Sequence, residues 1–133
     1  MQGKINSFED LIIWQKTMDL AVKIYKLVEE NTFIKKDFSL KDQLKRAVMS
    51  ISDNIAEGFE YNNNADFYRF LRMSKGSCGE MRNKIIFLTR LEFISQEAGQ
   101  QLFEEFLNLG NQIGGLMRKV KMRVTASQKT RNS

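Results

Sequence analysis

Residues 43–58 read QLKRAVMSISDNIAEG, and the periodicity of this stretch decides the fold. At about 100° per residue, Leu40, Leu44, Ala47, Val48, Ile51 and Ile55 fall on one side of a helix. Asp42, Arg46, Asp53, Glu57 and Glu60 fall roughly opposite, and Arg46 lies one turn from Asp42, where it can pair with it. Along the edge of the apolar side run Ser50, Asn54 and Gly58. Small residues there let a neighbouring helix come close, and Asn54 can bond to a neighbour's backbone. A helix with one apolar side must be covered, and the flanking sequence supplies three more helices to cover it.

Upstream, Ser7 and Asp10 form a capping pattern that opens a first helix near Phe8 and carries it to about Glu30. This helix has two apolar stripes. Leu11, Trp14, Met18, Ala21, Tyr25 and Val28 make one; Ile13, Leu20, Ile24 and Leu27 make the other. One stripe suffices for a bundle core, so two in a short chain point to a partner subunit, with a single wide core face as the alternative. Trp14, Ile13, Leu20 and Ile24 are the candidate oligomer interface, and which stripe faces the partner stays open. Trp14 reads as a core or interface anchor rather than a ligand stacker. Asn31 to Phe38 reads as a loop, and Ser39 with Asp42 repeats the capping pattern before the second helix, which ends near Glu60.

Downstream, Asn62-Asn63-Asn64 is a turn, because Asn tolerates left-handed backbone angles and competes for helical hydrogen bonds. Asn64 is expected to cap a third helix over about 65–91, with Phe67, Phe70, Leu71, Ser74, Ser77, Cys78, Met81, Ile85 and Leu88 on its core side. Gly76 and Gly79, with Ser74, Ser77 and Cys78, suggest a small-residue waist where another helix crosses closely. After a turn at 92–95, Ser95 caps a fourth helix. Its seam of Gly99, Leu102, Phe106, Leu109, Ile113, Leu116 and Val120 alternates by three and four, and Gly110, Gly114 and Gly115 thin it for close packing. Four long helices with short connections predict an all-α, antiparallel up-down-up-down four-helix bundle over 1–122, followed by a basic, frayed tail over 123–133.

The length of 133 residues suits one domain, and 42% hydrophobic with 28% charged residues is ordinary globular composition. The net charge of +5 is unevenly placed. Six of the 21 basic residues lie at or beyond Arg118, leaving 15 against 16 acids, a net −1, in the rest of the chain. The single cysteine, Cys78, excludes an intramolecular disulfide and reads as a small core filler. No apolar run is long enough to span a membrane and the N-terminus lacks a secretory core, so the cytoplasm is the expected compartment.

Chemistry is poorly supplied. The chain has no histidine, which removes the commonest general base and metal ligand. It has no Walker loop and no nucleophile elbow, and its GSCG lies within a helix. We expect no enzyme activity, no metal, no cofactor and no small-molecule substrate. The functional candidates are electrostatic. Arg69, Arg72, Lys75, Arg82 and Arg90 share an acid-free sector of the third helix, a plausible phosphate track for RNA or DNA. Arg118, Lys119, Lys121 and Arg123 add a second patch. The competing reading is a solvated charged face. Exposed aromatics among these charges are scarce, Tyr68 and Phe87 at most, so base stacking is not strongly implied. The basic tail lacks the apolar face that a membrane-surface helix needs.

Three segments together, FEDLIIWQK, QLKRAVMSISDNIAEG and FYRFLRMSKGSCGE, resemble the four-helix-bundle proteins encoded in intervening sequences of bacterial 23S ribosomal RNA genes. The resemblance spans roughly residues 5–120. The proline the family usually carries before the Asn of NIAEG is missing, and Phe59-Glu60 replaces its Gly-Arg, so nothing is carried over for that arginine. The resemblance implies a homopentameric ring of antiparallel bundles. Relatives with this fold serve as accessory proteins of diversity-generating retroelements, where a basic pentamer binds nucleic acid and a reverse transcriptase. That implies two roles: a nucleic-acid binder, or a scaffold that recruits a protein such as a polymerase. Arg46, Asn54, Glu57 and Gly58 match the family string and read as structural.

Overall fold

A computed structural model describes residues 4–132. Met1–Gly3 and Ser133, the outer ends of the leader and tail readings, lie outside the described residues, as does the Arg131 side chain. The described chain is all helix and turn, with four main helices packed antiparallel: α1 (Ile12–Glu30), α3 (Phe38–Glu60), α4 (Asn64–Arg90) and α5 (Gln96–Asn132). A short α2 (Thr32–Lys36) and a single 3-10 turn (Phe8–Asp10) complete it. Neighbours in sequence are neighbours in space. The α4/α5 and α3/α4 pairs are the most intimate, and α1 leans on α3 and only lightly on α5.

The expected helix boundaries shift in five places. The capping pair Ser7 and Asp10 closes the 3-10 turn, with the Asp10 carboxylate accepting from the Ser7 and Asn6 backbone N–H groups at 3.1 and 2.9 Å. Those two hydrogen bonds hold Asp10 below the usual carboxylate range. Extended Leu11 then separates the turn from α1. The loop expected over 31–38 contains α2, because the Asn31 side chain accepts from the N–H groups of Phe33 and Ile34 and starts a new turn. Asp37, not Ser39, caps α3, accepting from Leu40 N–H at 3.0 Å. Asn63, not Asn64, caps α4, accepting from Asp66 N–H at 2.8 Å, while Asn62 takes the left-handed φ of 54°. Ser95 Oγ caps α5 as expected, accepting from Ala98 N–H at 3.1 Å. The fourth helix does not fray at Met122: α5 runs on to Asn132.

The core runs the length of the bundle. Leu44, Val48, Ile51 and Ile55 of α3 meet Leu71, Cys78, Met81, Ile85 and Leu88 of α4 and Phe106 and Ile113 of α5, all buried. Gly58 is required for this packing. A Cβ there would stand 2.5 Å from Phe70 Cβ, an approach two side chains cannot share. The polar groups inside are satisfied: Ser74 Oγ donates to the Ile51 carbonyl at 2.8 Å, and the Ser50 and Ser77 hydroxyls meet at 2.9 Å. Asn54 bonds within its own helix, donating to the Ser50 carbonyl at 2.7 Å, so it does not reach a neighbour's backbone.

The oligomer-interface reading of α1 needs correction. Ile13, Leu20 and Ile24 are buried inside this chain's own core, and Trp14 is half-buried with its ring edge-to-face on Phe8 at 5.4 Å. Because α1 sits against α3 with little contact to α5, its uncovered apolar side chains are others: Ile12, Val22 (53% exposed) and Tyr25. Met18, Val22 and Tyr25 line an open groove of about 570 Å³ with Met49 of α3.

Candidate nucleic-acid interface

Antiparallel packing brings the two basic sets into one field. The α4 set and the α5 set are far apart in sequence, but they face each other across the α4/α5 seam. Lys75 Cε lies 3.1 Å, and an Arg118 guanidinium nitrogen 3.7 Å, from the point where a Cβ on Gly114 would stand. Arg82 spreads its two terminal nitrogens over two more glycines, 3.5 Å from the Cβ position of Gly110 and 3.7 Å from that of Gly79. One turn further along, Lys121 Nζ sits 5.9 Å from the Tyr68 ring centre. Helix α5 therefore lacks side chains at the places where the cations lie over it.

This changes the expected role of the glycines. At Gly110 an added Cβ would meet Cys78 Cβ at 3.5 Å, an ordinary contact, and at Gly114 it would press on the flexible Lys75 side chain at 3.1 Å, so neither glycine is fixed by a backbone-to-backbone crossing. Close crossing occurs instead at Gly99, where a Cβ would collide with the Thr89 hydroxyl. On α4, Ser74, Ser77 and Cys78 make the expected waist, but Gly76 points to open space and Gly79 meets only Arg82.

The charges are unevenly neutralised. Arg69 is paired with Asp66 at 3.4 Å and lies over the Phe70 ring at 4.6 Å, so it belongs to the cap of α4 more than to the track. Among the described residues, Arg72, Lys75, Arg82, Arg90, Arg118, Lys119, Lys121 and Arg123 have no carboxylate ion partner. The acids are elsewhere. Glu80 pairs with Lys84 at 3.7 Å on the α3 side of α4, Glu105 with Lys23 at 2.7 Å on the α1 side of α5, and Asp42 with Arg46 at 2.9 Å on α3. Arg90 stands apart at the far end of α4, Arg118 and Lys121 are central to the field, and Lys119 and Arg123 are exposed on the same stretch of α5.

Burial pushes the Cys78 thiol up to about 12, with Arg82 and Lys75 nearby pulling weakly the other way. A thiol in that state is a core filler, not a nucleophile. No group of three or more His, Cys, Asp or Glu among the described residues is placed to hold a metal ion. No described helix is long and apolar enough to cross a membrane.

Sequence reasoning missed two things. It treated the α5 glycines as packing devices, when the space they leave is occupied by cationic side chains. It also missed exposed aromatics: Phe33 stacks on Phe93 at 5.2 Å while remaining 60% exposed, and Phe38 is 76% exposed. Both lie in the stretch that reads as a loop; a search for apolar side chains at helix starts finds them.

Comparison with known proteins agrees with this architecture. The family profile described as 23S rRNA-intervening sequence protein matches residues 9–115. A crystal structure of a protein of unknown function from the S23 ribosomal protein family of Bacteroides thetaiotaomicron superposes with a TM-score of 0.71 at 24% identity, covering 80% of this chain and 98% of that one. No curated protein matches the chain.

Proposed function

The chain belongs to the 23S rRNA-intervening sequence protein family, a family of unknown function, and from that premise we propose that it is a non-enzymatic, homo-oligomeric binder of RNA or DNA that holds the phosphate backbone along the α4/α5 seam. One observation carries the reading: Lys75, Arg82, Arg118 and Lys121, drawn from two helices, converge on one surface with no carboxylate partner among the described residues. Clustering like charges costs energy through repulsion, and a polyanion recovers that cost by releasing its condensed counterions as it binds. Acids are common elsewhere in the chain, and five of them form ion pairs there, so their absence here is a property of this surface.

The homo-oligomer rests on the groove of Met18, Val22, Tyr25 and Met49. It is rimmed by Lys26, Glu29 and Glu30, a mixed pair of signs suited to an antiparallel copy or to a ring neighbour. Repeating the basic seam around such an assembly multiplies the affinity for a long polyanion. The pentamer remains the form expected from the resemblance. The same groove supports the second reading, a scaffold that recruits a protein partner.

The test is a salt titration of binding to RNA and DNA with the intact chain and with Lys75, Arg118 and Lys121 all replaced by Glu. Affinity falling steeply with salt, and falling about a hundredfold or more in the triple variant, is the expected result. Unchanged affinity in the variant would remove the seam as the binding surface, and a pull-down of a protein partner that survives nuclease would favour the scaffold.

A further inference from the structure

Between the C-terminal half of α4 and the first turns of α5 lies a cleft of about 440 Å³. It is lined by Ile86 and Arg90 from α4 and by Gln96, Gly99, Gln100 and Phe103 from α5. Arg82 stands over the same Phe103 ring, 5.9 Å from its centre. The cleft therefore continues the basic seam: one guanidinium lies on the aromatic side chain that helps to line it, and a second lines it directly. Neither arginine has a carboxylate ion partner among the described residues.

The polar groups are few and specific. Thr89 Oγ1 is committed, donating to the Ile85 carbonyl at 2.8 Å. Gln100 donates its amide nitrogen to Glu104 at 3.0 Å, which leaves its carbonyl oxygen as an acceptor. Glu104 itself does not line the cleft, and its carboxylate is engaged by that amide. Gln96 is exposed at the first position of α5 and contributes one further donor and acceptor. The ligand that suits these groups is a flat ring with polar edges and an anion on either side.

We infer that this cleft takes an unstacked nucleobase of a single-stranded nucleic acid, with Arg82 and Arg90 on the flanking phosphates. The inference rests on the phosphate-binding reading and adds the strand state to it. Residues 82 and 90 are eight positions apart on one helix, about 12 Å along its axis. That is longer than the rise of about 3.4 Å per nucleotide of one strand, so the two long side chains must both lean towards the cleft to meet the phosphates that flank one extended nucleotide. Phe103 supplies a π face, which is tolerant of base identity. A base in a duplex is stacked on both faces and cannot enter without being flipped out. An aromatic side chain from a protein partner would fill the apolar part of the cleft but leave both guanidinium groups unpaired.

The test compares a short labelled single strand of mixed sequence, the same strand with abasic sites, and its duplex, by fluorescence anisotropy at one fixed salt concentration. The intact single strand should bind about tenfold more tightly than the abasic strand. Phe103→Leu, which keeps an apolar side chain at this half-buried position, should bring the two together; because Arg82 also lies over this ring, the readout is the ratio of intact to abasic affinity rather than either affinity alone. Gln100→Ala, at an exposed position, should move the intact strand in the same direction by a smaller factor, so the test does not depend on how Phe103→Leu folds. Equal binding of intact, abasic and duplex probes would overturn the base-binding cleft and leave the phosphate track standing. Competition by a free nucleoside monophosphate at micromolar concentration would reassign the cleft to a free nucleotide and overturn the single-strand inference. Failure of all three probes to bind at low salt would remove the phosphate reading itself, and this inference with it.

Discussion

Helices α4 and α1 are both amphipathic, yet the bundle covers one and leaves the other partly open. Helix α4 lies between α3 and α5, and its apolar side from Phe70 to Leu88 is sealed on both flanks. Helix α1 has one strong neighbour, α3, to which it is tied by Lys45, paired with Glu29 at 3.6 Å and lying 4.8 Å over the Tyr25 ring. Its contact with α5 is light, with Lys23 and Glu105 bridging the gap at 2.7 Å. Closing a seam inside the chain pushes charge outward, to the rims of α4 and α5. Leaving one unclosed keeps apolar side chains at the surface. The two proposed surfaces, one for a polyanion and one for another copy, both follow from that asymmetry.

The comparison can be broken most easily at Gly58. Alanine there must displace Phe70, and the α3/α4 seam should lose about 1–3 kcal/mol by denaturant unfolding. A loss below 0.5 kcal/mol would mean the seam is less tightly closed than its geometry indicates. Cys78 probes the same seal through pH. Its thiol is held up at about 12 in the fold, against an ordinary value of 9.0. Between those values the unfolded chain has released the proton and the folded chain has kept it. Stability should therefore fall as pH rises through that window, by up to about 1.4 kcal/mol per pH unit. The slope is read as the difference between the intact protein and Cys78→Ala, which removes the contributions of tyrosine and lysine. No difference in slope would mean that water reaches the thiol.

Gly76 is the counterpart of Gly58. It lies on the same seamed pair of helices but faces outward, with nothing near its missing Cβ. Gly76→Ala should raise stability by about 0.5–1 kcal/mol through helix propensity alone, measured by thermal melting. The smallest effect on the single chain is expected at the open groove. Val22→Glu should change the stability of an isolated chain by no more than about 0.5 kcal/mol, since that side chain is 53% exposed. The same substitution should shift the molar mass in solution towards a monomer. An unchanged mass would move the interface away from α1.

Much of this was legible along the chain. The core sides of the second, third and fourth helices were read correctly from spacing, because burial in a bundle repeats every three or four residues and a helix carries that repeat in its sequence. The NIAEG string gave Gly58 its packing role, and Asp42 and Arg46 paired as their one-turn spacing implied. Caps were harder. Asn31, Asp37 and Asn63 won over Ser39 and Asn64 because each was already bent into an extended conformation that presented its side-chain oxygen to the next turn. Periodicity does not contain that choice.

The sequence by itself determined four amphipathic helices, their order, their core residues and the excess of positive charge at the C-terminal end. These are local properties, fixed by what a single helix must hide and what it may show. Only the tertiary structure decided which stripe of α1 was spent on the chain's own core, and that Lys75, Arg82 and Arg118 meet over the bare backbone of α5. Both depend on how far one helix leans on another, a distance between residues dozens of positions apart, which no spacing along a single helix encodes.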